Sequence, residues 1–418
     1  MKLDERVHAL VEKGVKIQAP HSIALGPEVD PDRISGEGVI LHAGCRIFGA
    51  GTLICAGAEL GREAPVTLEN CQIGPEVQLK GGYFKDAVFL KRSGMGSGAQ
   101  VREGTILEEE ASGAHTVGLK QTILFPFVTL GSLINFCDCL MTGGTSRKDH
   151  SEVGSSYVHF NFTPNQDKAT ASLMGNVPDG VMLNQRPVFL GGQGGLVGPC
   201  RLAFGTVIAA GCIYRKDELR PNRLLIDGIG RSGNMPFETG FYRSIKRIVQ
   251  NNILYITNLM ALRAWYGVVR REFISDAFPD ALWGGLMEKV YMGIAERITR
   301  LDALAQKLPE SARIYREQAG ENASAALLAQ KAQLHERSAE LSQLFLNLKN
   351  ETGDAAKAAA FISVIQSHIQ EKGKDYIAVI KSLNDEEASL GTQWLQGMVD
   401  AHSGAAFALL PAFGFKAA

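Results

Sequence analysis

A six-residue repeat of aliphatic side chains restricts the fold of this chain more than any other feature of its sequence. Leu190, Leu196, Leu202 and Ile208 follow one another at intervals of six residues. An α-helix repeats its apolar face every 3.6 residues and a β-strand every two, so neither produces this spacing. A parallel β-helix does, because each triangular coil has three flat sides and one aliphatic residue points inward from each side. The spacing therefore predicts a parallel β-helix.

Small residues stand where such coils must turn. Gly191, Gly205 and the run at residues 209–211 fit tight corners, where a Cβ would clash. The repeat begins near the N-terminus, so we expect the β-helix to occupy residues 15–220. The earlier members of the repeat are Ile17, Ile23, Val29, Leu41, Ile47 and Leu53.

Helical periodicity at both ends of the chain completes the predicted domain organisation. Residues 1–14 read as an amphipathic capping helix, with Val7, Leu10 and Val11 on one face. After Pro221 glycine becomes rare and helix-forming residues dominate. We therefore expect a linker at residues 221–236 and an all-α helical domain at residues 237–418. One apolar face of that domain is marked by Ile245, Val249, Ile253, Ile256 and Met260.

The composition excludes several classes of function. With 43 basic and 44 acidic residues and a formal net charge of -1, the chain does not read as nucleic-acid-binding. The charged first residues lack the apolar segment of a signal peptide, and the longest apolar run, at residues 405–413, is too short to span a membrane. Seven cysteines in a long chain indicate a reducing compartment, so we expect a cytoplasmic protein. Cys137 and Cys139 lack a second Cys/His pair at zinc spacing, so no metal is expected.

Three segments carry a resemblance to a known family. Residues 189–199 and 205–211 resemble the last coils of hexapeptide-repeat left-handed β-helix acyltransferases. Their closest counterpart is the acetyltransferase half of the bifunctional UDP-N-acetylglucosamine pyrophosphorylase/glucosamine-1-phosphate N-acetyltransferases. Residues 151–162 are similar to that family's segment ending in Cys-Asn-Tyr-Asp-Gly, and Lys120 to a lysine that meets the sugar phosphate. The resemblance implies a left-handed parallel β-helix, a homotrimer and acetyl-CoA as the acyl donor.

The chain departs from this family at the site of the chemistry. Ser132 stands where the family has its catalytic histidine, Asn135 replaces a tyrosine, and Glu152 replaces an acceptor-binding asparagine. Lys120 and Asn161 match the motif residues that remain. The glycine-rich loop of the family's nucleotidyltransferase domain is also missing, so uridylyl transfer is not expected.

An inserted loop, residues 145–150, offers replacement chemistry. Arg147 presents a planar fork suited to phosphate, and Lys148 adds a second cation. His150, next to Asp149, can serve as the general base that removes the amine proton. The alternative is a solvated surface loop with an incidental histidine.

A second base candidate, His159, lies two residues before Asn161, so an extended strand would place both on one face. The polar segment at residues 159–168 suggests a ligand, with Asn161 orienting the acceptor and Lys168 binding phosphate. The alternative for His159 is a histidine stacked between coils. By the family resemblance, Gly192 and Ala210 would lie against coenzyme A. Three consecutive glutamates at residues 108–110 read as a solvated face.

Two functions from different classes follow. The first is an acyl-CoA-dependent N-acyltransferase for an amino-sugar phosphate or sugar nucleotide, with Lys120, Arg147 and Lys168 binding phosphate. The alternative is a catalytically silent β-helix that binds a sugar nucleotide or scaffolds a partner protein.

Overall fold

Short parallel strands stacked in three columns form the N-terminal part of the chain. The computed structural model describes residues 4–226 and 237–415, and within them eleven strands build one flat side, which we call face A. Each strand of face A pairs in parallel with the strands of the neighbouring coils. The strands of face A are Lys16–Ile17, Ile40–Leu41, Glu59–Leu60, Gln78–Leu79, Gly94–Met95, Ser112–Gly113, Thr129–Leu130, Glu152–Val153, Phe189–Leu190, Val207–Ile208 and Leu224–Leu225.

The other two sides, faces B and C, are joined into one sheet. Two eight-residue strands, Val117–Leu124 and Ile134–Met141, run through the corner from face B to face C. The remaining described strands of face B are Ala24–Leu25, Arg46–Phe48, Val66–Glu69, Gly82–Lys85, Ala99–Val101, Val158–Phe160, Gly195–Val197 and Ile213–Tyr214. Those of face C are Leu53–Ile54, Gln72–Ile73, Ala87–Phe89, Thr105–Leu107, Ser172–Met174 and Arg201–Leu202.

The six-residue repeat marks the interior of this β-helix, as predicted. Leu190 on face A, Leu196 on face B and Leu202 on face C are buried, and Ile208 returns to face A in the next coil. The expected architecture, a parallel β-helix followed by an all-helical region, is confirmed.

The corners hold fewer glycines than the sequence analysis expected. Three lines of residues with positive φ run along the β-helix, one at each corner, and many of their members carry side chains. At the A–B corner these include Thr116, Leu133 and Ser156, with φ values of 58°, 59° and 60°. A left-handed backbone costs a non-glycine residue roughly 1–2 kcal/mol. The parallel hydrogen bonds to the coils above and below fix the corner geometry and offset that cost.

Helices cover one end and one side of the β-helix. Helix α1 (Glu5–Lys13) lies where the capping helix was predicted, with Val7 and Leu10 buried against the first coil. A short helix, α2 (Val177–Gly180), is inserted after the face C strand Ser172–Met174. The later helices are α3 (Lys246–Ala264), α4 (Asp280–Ala305), α5 (Leu308–Ala319), α6 (Ala325–Leu348), α7 (Ala355–Lys372), α8 (Tyr376–Lys381) and α9 (Asp385–Ala408).

Face C is the side that these later helices cover. Helix α4 packs on the strands Gln72–Ile73, Ala87–Phe89 and Thr105–Leu107, and α3 packs on Ser172–Met174. The contact is close, because a Cβ on Gly285 of α4 would lie 2.6 Å from Gln72 Oε1. The outward residues of face C are therefore buried, whereas much of faces A and B remains exposed.

The last described coil runs past the predicted end of the β-helix. Leu224–Leu225 pairs in parallel with Val207–Ile208, so a face A strand lies within the segment assigned to the linker at residues 221–236. The change in composition after Pro221 suggested the boundary, yet one more coil continues beyond it. Residues 227–236 of that segment lie outside the described part of the chain.

Candidate functional site

An imidazole and a hydroxyl meet at the A–B corner in the middle of the β-helix. His115 and Ser132 occupy equivalent places on adjacent coils, and His115 Nδ1 lies 2.9 Å from Ser132 Oγ. Backbone bonds hold this alignment, because Leu133 N–H donates to the His115 carbonyl and Ser156 N–H to the Ser132 carbonyl. His115 is exposed and Ser132 half-buried. The pair is thus accessible to a substrate.

The same corner continues to the two residues predicted to lie against coenzyme A. Ser155 Oγ accepts a hydrogen bond from Ser132 N–H. The Ser155 carbonyl accepts one from the N–H of Gln193, the residue after Gly192. The Gly192 carbonyl in turn accepts from the N–H of the residue after Ala210. Coils are spaced about 4.8 Å apart, so His115 and Ala210, four coils apart, are separated by roughly 19 Å along this corner.

Small side chains keep that corner narrow. A Cβ on Gly192 would lie 2.9 Å from the Ser155 carbonyl oxygen, so no larger side chain fits without a shift. Ala210 is exposed and presents only a methyl group. The row of Ser155, Gly192 and Ala210 therefore presents only short side chains up to Ser132 and His115, and the exposed Leu133 borders this row.

A groove lies on face A beside His115. Its volume is about 790 Å³, and the outward residues Gly94 and Ser112 are small enough to leave the space open. The charges at its border are already paired: Lys80 Nζ lies 3.1 Å from Glu63, and Arg92 Nε lies 3.0 Å from Glu76. The groove therefore suits an uncharged polar group better than a highly anionic one, which would need several unpaired cations.

The inserted loop forms an antiparallel hairpin at the C–A corner. Its arms are Gly144–Ser146 and Asp149–His150. Arg147 Nη1 donates to the carbonyls of Glu110 and Phe127 at 3.0 and 3.2 Å, so part of its guanidinium fastens the hairpin to earlier coils. The hairpin is therefore anchored rather than a free surface loop.

His150 lies at the base of this hairpin and is half-buried. Its Nε2 is 3.9 Å from Glu152 Oε2, and its Nδ1 is buried without a hydrogen-bond partner among the described residues. It stands on the C–A corner, whereas His115 stands on the A–B corner. The two histidines therefore flank face A from opposite sides.

His159 lies inside the β-helix, which corrects the prediction that it acts as a base on a bound substrate. It fills the inward position of face B between Phe136 and Leu196, with 1% of its surface exposed. Its Nε2 lies 2.8 Å from Ser172 Oγ. Burial lowers the pKa of His159 to about 4. The alternative kept open above, a histidine stacked between coils, describes what is found.

Asn161 holds the helical region in place. Its side-chain amide donates to Asp138 Oδ2 at 2.7 Å, and the other oxygen of that carboxylate accepts from Arg297 of α4 at 2.7 Å. The strand ends at Phe160, so Asn161 does not share a face with His159 as expected. Lys168 is exposed, and its carbonyl lies 3.5 Å from Arg297 Nη1.

The polar segment after His159 contacts protein groups. Tyr242 O–H donates to Asp167 Oδ2 at 2.7 Å, and Gly240 N–H to Asn165 Oδ1 at 2.8 Å. Asn252 of α3 donates to the Ala169 carbonyl. The density of polar groups that suggested a ligand is explained by the docking of the helical region.

Lys120 is at the B–C corner and forms an ion pair with Glu103. Burial alone would raise the pKa of Glu103, but the Lys120 ammonium holds that pKa below its usual range. The predicted phosphate ligands are thus dispersed: Lys120 and Lys168 lie at the B–C corner and Arg147 at the C–A corner. Within one chain they do not meet at one point.

His115 was not assigned a role from the sequence, although its spacing from Ser132 indicates one. His115 precedes Ser132 by 17 residues, close to one coil, so the two share a corner. The three glutamates at residues 108–110 were also misread as a solvated face. Glu108 and Glu109 are 2% and 7% exposed, because helices of the C-terminal region cover them.

Residues 4–226 and 237–415 lack both a cluster suited to a metal ion and a helix suited to cross a membrane. They contain no group of three or more His, Cys, Asp or Glu side chains placed to bind a metal ion. None of their helices combines the length and the apolar character needed to cross a membrane.

About half of the chain is similar in sequence to a bifunctional bacterial protein. No protein-family model matches it. Over 228 residues it is 25% identical to the bifunctional protein GlmU of Thermotoga petrophila, covering 54% of this chain and 44% of that protein. GlmU of Nitratidesulfovibrio vulgaris is 24% identical over 226 residues, with the same coverage of 54% and 44%. The chain thus spans less than half the length of these curated relatives.

Two solved structures match the chain with low TM-scores. A UDP-N-acetylglucosamine acyltransferase from Campylobacter jejuni is 12% identical with a TM-score of 0.16, covering 50% of this chain and 69% of that one. LpxA from Acinetobacter baumannii is 10% identical with a TM-score of 0.17, covering 70% and 95%. Scores this low carry no argument about function. The stacked parallel coils and the weak sequence similarity to GlmU confirm the resemblance to hexapeptide-repeat β-helix proteins that was stated from the sequence.

Proposed function

We propose that this chain transfers an acyl group from a coenzyme A thioester to the amine of an amino-sugar phosphate or sugar nucleotide. The observation that carries the proposal is the pair of His115 and Ser132, 2.9 Å apart on the corner that also holds Gly192 and Ala210. The pantetheine arm would lie along this corner, with the acceptor in the face A groove.

His115 is then the base, in place of the earlier candidates. This role requires the tautomer that is protonated at Nδ1: its Nδ1–H then donates to Ser132 Oγ, and the lone pair of Nε2 is left for the substrate. The acceptor amine attacks the thioester carbonyl, a C–N bond forms and the C–S bond breaks. His115 takes the proton from the amine and passes it to the departing thiolate. Ser132 is a positioning residue, because it acts through the imidazole.

A homotrimer, as the family resemblance implies, would complete this site. Arg147, Lys120 and Lys168 lie on other corners than His115 in the same chain. An adjacent copy can bring one of those corners to the A–B corner, where a phosphate would then meet a cation.

The experiment measures thiol release from acetyl-CoA with glucosamine 1-phosphate and with UDP-sugars that carry a free amine. We expect His115→Gln to lower kcat about a hundred-fold or more, because a positioned base contributes about 10²–10⁴. Ser132→Ala lowers kcat less, and Ser132→Thr restores part of it. His8→Gln, on the exposed side of α1, is the matched control.

His150→Gln is measured in parallel. Loss of turnover in that variant, with turnover of His115→Gln unaffected, would identify His150 at the C–A corner as the base. Absence of acyl transfer by the parent chain across the panel contradicts the proposal and favours the silent β-helix that binds a sugar nucleotide or a partner. Titration of the parent with acetyl-CoA alone distinguishes the acyltransferase from the silent β-helix, because only the acyltransferase is expected to bind acetyl-CoA.

A further inference from the structure

A second cavity lies between the β-helix and the helical region, away from the His115–Ser132 pair. Its volume is about 430 Å³. Lys91, Arg92 and Glu109 line it from the C–A corner, and Arg270 and Tyr376 from the helical region. Arg92 stands at the corner itself and borders both this cavity and the face A groove. The proposed acyl transfer does not use this cavity.

Arg270 is the least satisfied group of the cavity wall. Its side chain is 1% exposed, and Nη2 forms an ion pair with Glu109 Oε1. Nε and Nη1 are buried without a hydrogen-bond partner among the described residues. The Tyr376 and Phe278 rings lie 3.7 and 4.8 Å from the guanidinium carbon and hold the group in place. Unpaired buried donors are costly, and an anion in the cavity would satisfy them.

The remaining charges make the cavity cationic. Five lining side chains are basic and three are acidic. Lys374 and Lys381 are exposed at its border, and Lys374 Nζ donates to the Ile274 carbonyl at 2.7 Å. Among the described residues Lys381 has no ion-pair partner. The electrostatics therefore favour an anionic ligand over a neutral one.

One acceptor atom in the cavity wall further restricts the chemistry of the ligand. Glu109 Oε2 is buried and, like the Arg270 donors, has no hydrogen-bond partner in the described part of the chain. A carboxylate oxygen needs a donor, which the phosphate group of a monoester dianion does not supply. A hydroxyl next to the phosphate would supply it.

We propose that this cavity binds a small phosphate monoester that carries a hydroxyl group, such as a sugar phosphate. The phosphate lies against Arg270 and the lysines, and the hydroxyl donates to Glu109. The site is independent of the acyl transfer proposed above, so either proposal can fail alone.

Calorimetric titration of the full chain with glucose 6-phosphate, glycerol 3-phosphate, methyl phosphate and glucose tests this. We expect the two esters that carry hydroxyl groups to bind at least ten-fold more tightly than methyl phosphate, and glucose not to bind. Lys381→Glu should weaken ester binding ten-fold or more, and Ala378→Trp should abolish it by filling the cavity. The matched controls are Lys372→Glu and Ala359→Trp, exposed on α7 away from the cavity.

The variant His115→Gln should leave ester binding unchanged, which separates this cavity from the acyl-transfer site. Ester binding that survives both Lys381→Glu and Ala378→Trp overturns the proposal, as does failure of both esters to bind at millimolar concentration. Methyl phosphate bound as tightly as the two hydroxyl-bearing esters overturns the role given to Glu109. Circular dichroism of each variant confirms that it is folded.

Discussion

Glu108 shows how the helical region changes the chemistry of a single residue. It is 2% exposed, and Tyr266 O–H donates to its Oε1 at 2.5 Å. Burial raises the pKa of Glu108 to about 7, against an ordinary value of 4.5, even though Arg270 favours the charged form. The folded chain therefore retains a proton here that the unfolded chain loses at lower pH.

We predict that Glu108→Gln stabilises the protein above neutral pH. Between pH 4.5 and about 7 the unfolded carboxyl is ionised while the folded one is protonated, so parent stability falls as pH rises through that window. Glutamine cannot ionise and its Oε1 still accepts from Tyr266. The gain in unfolding free energy should approach about 3 kcal/mol at pH 8 and vanish near pH 4.5. Urea titrations at both pH values measure it.

Glu37→Gln, an exposed change in the first coils, is the control and should show no such pH dependence. An equal gain for Glu108→Gln at both pH values would mean that the carboxyl is ionised in the folded chain throughout.

The strands of face C carry apolar residues on both sides, which explains why helices lie on them. Val88, Ile106 and Ile123 are paired across adjacent coils and are at most 3% exposed. Their neighbours along the same strands, Phe89 and Leu107 among them, point into the β-helix. This outward apolar row would be exposed on an isolated β-helix, but α4 covers it. Its burial stabilises the fold by about 25 cal/mol for each Å² of apolar surface removed from water.

We predict that Ile106→Glu lowers the unfolding free energy by about 3 kcal/mol or more, because it buries a charge without a partner. Gln100→Glu is the matched control. Gln100 is exposed on face B of the same coil, so its change should stay within about 0.5 kcal/mol of the parent. Denaturant titration measures both, and similar values for the two variants would show that α4 does not cover face C in solution.

At the scale of the whole molecule, the helices leave two of the three faces open. The outward row of face A ends in exposed apolar residues at Phe189, Val207 and Leu224, which are 38%, 36% and 62% exposed. Their stacking on consecutive coils makes one continuous apolar strip. A second copy of the chain would bury it without disturbing the helices on face C.

We predict that the protein is a homotrimer at micromolar concentration, with a scattering mass three times that of the chain. Val207→Glu should shift it towards the monomer, because a carboxylate would be desolvated in the apolar strip. Lys16→Glu, on face A in the first coil, should leave the trimer intact. A monomeric parent would remove the shared acyltransferase site.

The sequence by itself determined the β-helix, because an inward residue every six positions is a local property of the chain. Leu190, Leu196 and Leu202 report it without any tertiary contact. It also indicated the helical region, through composition and a 3.6-residue period. The outward apolar row of face C also follows from the sequence once the inward positions are known, because side chains alternate between the two sides of a strand.

Only the tertiary structure decided which candidate residues share a corner. Three insertions, the hairpin before Ser151, the loop after Phe160 and the segment that contains α2, lengthen their coils, so residue spacing no longer indicates position around the β-helix. His159 and Asn161 were separated by a strand end, and the polar loop that follows serves the helices. His115 joined Ser132 because parallel pairing stacks coils directly on each other, which places residues far apart in sequence within hydrogen-bond distance.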